Sequence, residues 1–331
     1  MEKEKIEDIV SDWDIGKIIS YQKAKKGVCN TNWILKTTKG KYILRNLAKF
    51  KKRGELKFEL NYLNYLKKNN FPYKIPSPIK TKSNKFFIKI NKDYFWLYEF
   101  IEGKEIKRFS YHELKEIAKM MADYHRIIKK SKLDNKKHYS PFAKNEILKE
   151  ILSFRKKITK NKKRGQKESI FLNESKKLIP LLKSLDSKTY SKLAKYPIHR
   201  DINPENTLWK NGKLIGIIDF ENVSEIKETF IKDISGMLQY SCRDKKSNYK
   251  TDLELARFFI KEYKKYHKLS TEEISLIPDI IIAGAIEDFS YSYWMLLNDT
   301  ERAKLYRLKL YSKVAQWHNK NKEYIINNLI N

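Results

Sequence analysis

His199-Arg200-Asp201-Ile202-Asn203-Pro204-Glu205-Asn206 and, a little further on, Ile217-Ile218-Asp219-Phe220-Glu221 are the stretch whose reading decides the fold. Between them stand two β-rich arms, Thr207-Leu208-Trp209 and Leu214-Ile215-Gly216-Ile217-Ile218, around Asn211-Gly212. Asn-Gly between such arms signals a two-residue hairpin turn, because both central residues must adopt positive φ. Antiparallel return then brings Asn206, which opens the first arm, to the same end of the ribbon as Asp219, which closes the second. Asp201 sits on the loop just before the hairpin.

That arrangement has a chemical meaning. A carboxylate and an amide oxygen side by side are hard ligands suited to Mg²⁺. Asp201 is a carboxylate able to accept a proton from a substrate hydroxyl. A metal bridging phosphate oxygens and a base orienting the nucleophile are the parts that phosphoryl transfer from ATP needs. Taken singly, Asp201 would as readily cap a turn, and Asp219 end a strand at the surface. Taken jointly, H-x-D-x₄-N, a hairpin of matching length and an apolar strand ending in Asp point to a site.

Working outward, residues 15–47 read as strands. Asn32-Trp33-Ile34-Leu35-Lys36-Thr37-Thr38 and Lys41-Tyr42-Ile43-Leu44-Arg45 flank Lys39-Gly40 as an antiparallel hairpin. Leu56, Leu60, Leu63 and Leu66 recur at helical spacing over 55–68, and Pro72, Pro76 and Pro78 then stop helical structure. Two more strands are expected over 86–90 and 94–98. Helical periodicity dominates 111–129, 145–157, 169–185 and most of 226–331, and the charge run 156–167 reads as a solvated loop. The expectation is an α+β, bilobal chain. A small antiparallel-sheet lobe with one helix spans 1–101, and a larger, mainly helical lobe spans 102–331.

Composition sets the bounds. The 331 residues are 41% hydrophobic and 13% aromatic, enough for sizeable cores and too much for a disordered chain. Ten Gly and eight Pro exclude a collagen-like chain, and Cys29 and Cys242 alone cannot build a disulfide framework or a thiolate metal site. The opening MEKEKIEDIVSDWD is charged and lacks the apolar core of a signal peptide. No apolar run reaches the roughly 18 residues of a membrane span. A cytoplasmic protein without a membrane partner is expected. The net charge of +31 would suit nucleic acid or anionic lipid by counterion release. The Lys is spread over the whole length among Asn, Ile and Tyr, however, as a compositional bias on solvated faces would spread it. Nucleic acid is therefore not the expected partner.

At these motifs the sequence resembles the aminoglycoside phosphotransferase, choline kinase and homoserine kinase family, within the protein-kinase-like fold. The resemblance covers residues from about 15 to 300. It implies Asp201 as the catalytic base, Asn206 and Asp219 as Mg²⁺ ligands, and His199 as a structural member of the catalytic loop. Glu221 matches the acidic second position of choline-kinase-like members. Asp233 resembles a later Asp that holds the catalytic loop, and it would equally serve at a helix start. Lys26-Gly27-Val28-Cys29-Asn30-Thr31-Asn32 would be the loop over the ATP phosphates, with Gly27 and Asn30 contributing, or an ordinary hairpin turn. Arg45 stands where the family usually carries a phosphate-binding Lys. As a guanidinium it can still grip phosphate oxygens with two N–H groups. Its helix partner would be Glu55 or Glu59. Residues 99–101, with Glu99 and Ile101, would offer backbone hydrogen bonds to adenine. G-V-C-N-T-N, G-K-Y-I-L, E-L-K-F-E-L-N-Y-L and I-P-S-P-I look like type II homoserine kinases in particular.

Two other classes compete. H-R-D-x-N-P-E-N is close to the catalytic loop of Ser/Thr protein kinases. Against this, Asn203 stands where those carry Lys, D-F-E replaces D-F-G, and the short span from Asp219 to Asp233 leaves little room for an activation segment. A catalytically silent kinase-like scaffold or nucleic-acid-binding protein would fit the Arg45 exchange and the charge, but not an intact Asp201, Asn206 and Asp219. Within the kinase reading the partner is a small-molecule hydroxyl substrate, an amino-alcohol with homoserine first. The helix over 283–294 is a candidate pocket wall, where Glu287 or Asp288 would meet an ammonium and Tyr291 or Trp294 would pack on it. The same aromatic stripe would also suit plain core.

Overall fold

A computed structural model of the chain describes residues 3–24, 30–47, 52–134, 139–161, 163–224, 226–300 and 303–331. The architecture is α+β, and packing divides the chain into two units. The first comprises Met1–Lys107, Asp123–Asn135 and Pro204–Glu225; the second comprises Arg108–Ala122, Lys136–Asn203 and Ile226–Asn331. In this division the 204–225 hairpin groups with the N-terminal sheet.

In the first unit an antiparallel sheet takes the order β1-β2-β3-β5-β4, with β1 Ile18–Lys23, β2 Thr31–Thr37, β3 Gly40–Asn46, β4 Ile88–Ile90 and β5 Asp93–Glu99. The β2–β3 register runs from Thr31 opposite Asn46 to Thr37 opposite Gly40, so the turn falls on Thr38-Lys39, one residue earlier than expected. The expectation of one helix is corrected. Besides α2 (Arg53–Lys68), a helix α1 (Lys3–Val10) precedes the sheet. Its Ile6, Ile9 and Val10, with Trp13, are buried against Trp33, Leu35, Leu44, Phe95 and Leu97. That spacing is the apolar stripe of an amphipathic helix, set among charged residues that hide it. The α2 helix buries Leu56, Leu60, Leu63 and Leu66 as their spacing requires.

The hairpin of β7 (Thr207–Lys210) and β8 (Lys213–Ile217) turns at Asn211 (φ 51°) and Gly212 (φ 72°), the positive-φ pair that Asn-Gly favours. Backbone bonds tie both its strands to earlier chain. Lys74 N–H donates to the Ile215 carbonyl (2.8 Å) and Ile217 N–H to the Lys74 carbonyl (3.0 Å), while Lys104 and Trp209 exchange two bonds of 2.9 Å. Gly216 permits this approach. A Cβ there would lie 2.7 Å from the Lys74 carbonyl oxygen. These bonds explain why the hairpin packs with the sheet and not with the helices that flank it in sequence.

The second unit is mainly helical. It contains the start of α3 (Tyr111–Lys129), α4 (Lys144–Lys160), α5 (Gln166–Ser184), α6 (Ser187–Lys192), the short strands β6 (Tyr196–Pro197) and β9 (Lys227–Glu228), α7 (Phe230–Ser241), α8 (Leu253–Lys264), α9 (Thr271–Ser275), α10 (Ile277–Leu297), α11 (Tyr306–Lys320) and α12 (Lys322–Ile330). The charge run expected as a loop is mostly helix, since α4 continues to Lys160 and α5 starts at Gln166. Ile147, Ile151, Phe154 and Ile158 are all buried, so the apolar stripe persists beneath the lysines. Apolar almost all round, α10 forms the centre and packs on α4, α5, α7 and α11. Phe289 and Tyr293 of α10 stack on Phe171 at 4.9 and 4.1 Å between ring centroids. Tyr291 and Trp294 stack on each other at 5.6 Å and are exposed. The aromatic stripe thus divides into a core face and a surface face. Among the described residues no helix is long and apolar enough to cross a membrane.

Candidate active site

In the first unit Asn206 closes a short helical turn at Pro204–Asn206 and leads directly into β7. Its carbonyl accepts the Ile218 N–H at 2.9 Å, so the two ends of the ribbon meet one residue before Asp219. Asp219 has φ 66°, a left-handed conformation that Asp tolerates better than a β-branched residue would. The chain then turns through Phe220–Ser224. Phe220 anchors this turn, buried against Tyr62 and Tyr124, whose hydroxyls bond each other.

Arg45 organises the acids around it. Its guanidinium lies 3.9 Å from Glu59, 3.4 Å from Asp219 and 3.2 Å from Glu221. Burial favours the neutral guanidine, but Glu59, Asp219 and Glu221 outweigh it and raise the pKa above its ordinary value. Of the two candidate helix partners Glu59 is the one at Arg45. Glu55 instead accepts the Lys52 N–H at 2.8 Å, at the start of its own helix. Asn30 Nδ2 donates to Glu221 Oε2 at 2.6 Å, which links the beginning of β2 to the segment after β8. Gly27, with Lys26, Val28 and Cys29, lies outside the described residues.

The same unit holds a cavity of about 650 Å³, walled by Ile34 and Ile43 of the sheet, by Tyr98 and Ile101, and by Leu208 and Ile218 of the hairpin region. Burial pushes the Tyr98 hydroxyl up to about 12, partly offset by Arg45, so this wall is neutral. Apolar walls of this kind suit a flat heterocycle. Ile101 lines the cavity. Glu99 precedes it at the end of β5, paired across to Tyr42.

The donors fit a hard cation. Asn206, Asp219 and Glu221 supply amide and carboxylate oxygens, and the Asp219 side chain is 40% exposed. Among the described residues no group of three or more His, Cys, Asp or Glu gathers as a complete metal cage. One or two protein oxygens, with phosphate oxygens and water completing the shell, is the usual habit of Mg²⁺.

Asp201 belongs to the second unit, on a loop stapled from below. Asp233, buried in the first turn of α7, accepts Arg200 N–H at 2.6 Å and His199 N–H at 3.3 Å. His199 is fully buried, and its Nδ1 accepts the Asp201 N–H at 3.3 Å. Arg200 sits at φ 66°, an unusual conformation for arginine that these bonds maintain. Asn203 Nδ2 donates to Asp201 Oδ1 at 2.7 Å. Sequence reasoning had weighed Asn203 only as a missing lysine and overlooked this bond, although an amide two residues after a loop carboxylate is a local signal for it.

Sequence reasoning offered Glu287 and Asp288 of α10 as equivalent, and the structure separates them. Glu287 pairs with Arg200 at 3.3 Å and Lys232 at 3.8 Å. Burial opposes ionisation of Glu287, but the two cations prevail and lower its pKa. Asp288 instead accepts Gln239 Nε2 at 2.9 Å and Tyr240 Oη at 2.7 Å, both on one oxygen.

Comparison with known proteins fits these features. The family model described as "Phosphotransferase enzyme family" matches residues 20–244. A homoserine kinase of Sinorhizobium fredii is 22% identical over 293 residues, covering 87% of this chain and 82% of the relative. A solved amicoumacin kinase, in complex with AMP-PNP and Ca²⁺, superposes with a TM-score of 0.68 at 15% identity, over 98% of this chain and 94% of the other. A microcompartment-associated aminopropanol kinase gives 0.63 at 10% identity, over 98% of each chain.

Proposed function

The chain belongs to the phosphotransferase enzyme family, and from that premise we propose that it transfers the γ-phosphate of ATP, with Mg²⁺, to the hydroxyl of a small amino-alcohol, homoserine being the first choice. The observation that carries this reading is the closing of one hairpin by the Ile218 N–H on the Asn206 carbonyl, one residue before Asp219, with Arg45 held against Asp219. The homoserine kinase relatives support the substrate, and the use of ATP suits the cytoplasm.

Asp201 accepts the proton of the acceptor hydroxyl and orients it, its carboxylate aimed by the Asn203 amide and its loop held by Asp233. Asn206 and Asp219 hold the cation, and Glu221 lies within reach of the same cluster through Arg45. When bound, Mg²⁺ supplies charge neutralisation across the phosphate oxygens. Arg45 contributes a permanent positive charge at the position of the customary lysine, and its planar donors match phosphate oxygens two at a time. The apolar cavity receives the adenine, with residues 99–101 as its backbone edge and Asn30 on the phosphate side. Domain roles follow from these assignments, nucleotide to the sheet unit and acceptor to the helical unit.

An ATP-consumption screen over homoserine, choline, methylthioribose, aminoglycosides and a generic protein tests the proposal. Metal-dependent consumption with a small hydroxyl compound, led by homoserine, is expected. Consumption with the protein alone, or with none of them, would overturn it.

A further inference from the structure

The sheet unit holds a second cavity, of about 380 Å³, beside the one assigned to the nucleotide. Three lysines from three segments line it: Lys41 near the start of β3, Lys104 in the segment after β5, and Lys210 at the end of β7. All three are exposed, so a solute reaches them. Among the described residues Glu102 is the one carboxylate on the lining, 3.3 Å from Lys41, and neither Lys104 nor Lys210 has an ion-pair partner. Three ammoniums against one carboxylate leave two positive charges uncompensated in one hollow. The backbone beneath them is braced. Lys104 and Trp209 exchange two bonds of 2.9 Å, and Phe100 N–H donates to the Lys41 carbonyl at 2.8 Å. Trp209 is buried, its indole N–H anchored on Thr207 Oγ1 at 3.0 Å. Like charges held together by fixed strands repel one another, and a bound anion relieves that repulsion.

A phosphate monoester carries about −1.5 to −2 charge at neutral pH and three acceptor oxygens, which matches this surplus in sign and size. The hollow lies at the small end of ligand sites, which suits a phosphorylated metabolite better than a nucleic-acid strand tracked along an extended groove. Phe100, Gly103 and Lys104 line both cavities. Lys104 has a single ammonium, so an anion in the smaller cavity draws it away from the larger one and from the phosphates of a nucleotide there. We infer that the smaller cavity is a regulatory site for a phosphate monoester, the class of compound that the proposed transfer produces, and that its occupation weakens nucleotide binding next door through Lys104. The coupling, though not the binding, rests on the nucleotide reading of the larger cavity. Linkage makes the effect reciprocal, so a bound nucleotide weakens the anion by the same factor.

Calorimetry on the full chain tests this with two probes, O-phosphohomoserine and inorganic phosphate, each titrated without nucleotide and then with increasing Mg-AMP-PNP. Saturable binding of at least one probe is expected, and the tighter of the two identifies the source of the phosphate. Lys210→Gln should weaken that binding at least about threefold and Glu102→Gln should tighten it about as much, the range of one exposed charge pair. Lys264→Gln, which removes the same charge from an exposed position on α8, should change it by less than about 1.5-fold. Opposite shifts in the first two variants cannot come from misfolding. Mg-AMP-PNP should lower probe affinity at least about threefold and then no further, the signature of coupling between two sites. Binding of neither probe overturns the inference. So does equal weakening in Lys210→Gln and Lys264→Gln, which marks a general basic surface. A nucleotide effect that is absent, or that grows without limit as plain competition does, overturns it while leaving the kinase reading intact. Failure of Mg-AMP-PNP to bind overturns the kinase reading, and the coupling with it.

Discussion

Replacing Arg45 by methionine keeps the length of the stem and removes the charge around which the sheet unit gathers its acids. Arg45 and Glu59 are 5% and 2% exposed, so their pair is screened little by solvent. At an effective dielectric of about 20, opposite charges 3.9 Å apart attract by about 4 kcal/mol. Asp219, with a side chain 40% exposed, adds much less, as surface pairs do. Removing one member of a buried pair leaves the other charge uncompensated and costs about 3–5 kcal/mol. Arg45→Met should therefore lower unfolding stability by about that amount, read from urea midpoints followed by tryptophan fluorescence. Glu59→Gln keeps the shape and removes the negative charge. Made in the Arg45→Met background, it should recover much of the loss, with a coupling of about 2 kcal/mol or more between the two sites. Strict additivity, or a cost for Arg45→Met below about 1 kcal/mol, would refute the claim that this pair is electrostatically joined.

Three further outcomes are expected. Asp219→Asn should weaken Mg-ATP binding at least about tenfold by calorimetry, since it removes the charge of the proposed ligand, and unchanged affinity would contradict the metal assignment. Gly216→Ala should cost about 1–3 kcal/mol, visible as a lower thermal midpoint, because its Cβ meets the Lys74 backbone carbonyl at 2.7 Å; an unshifted midpoint would count against the close approach. His318 is buried, its Nδ1 donating to the Val314 carbonyl and its Nε2 accepting from Thr251, both at 2.8 Å. Burial first, with Arg243 assisting, lowers its pKa from 6.5 to about 4. Between those values the unfolded chain binds the extra proton. This contribution is therefore whole above about pH 6.5 and lost as pH falls to about 4, amounting to about 3 kcal/mol. His318→Gln should flatten that pH dependence of stability, and an unaltered slope would disprove it.

What was legible in the sequence, and what was not, follows from range. The β7–β8 hairpin was readable because Asn211-Gly212 meets a local demand for positive φ at both turn residues. The α2 leucines and the core helices were readable from spacing alone. Helix α1 and the end of α4 were obscured by their charges, although Ile6, Ile9 and Val10, and Ile147, Ile151, Phe154 and Ile158, kept the period. Glu55 and Glu59 lie one helical turn apart on one face, so only tertiary packing could decide which meets Arg45. Glu287 and Asp288 are adjacent, and their difference arises from Arg200, Lys232, Gln239 and Tyr240, brought from distant segments. The grouping of the hairpin with the N-terminal sheet likewise depends on backbone bonds at Lys74 and Lys104 that no local pattern encodes.

The most direct test of the central claim follows phosphoryl transfer from γ-labelled ATP to homoserine in the wild-type chain and in Asp201→Ala, with Mg-ATP affinity measured alongside. The account predicts labelled phosphohomoserine from the wild type. For the variant it predicts turnover reduced at least about 10²-fold, as loss of a positioned base implies, at nearly unchanged nucleotide affinity. Turnover in Asp201→Ala close to that of the wild type would contradict it.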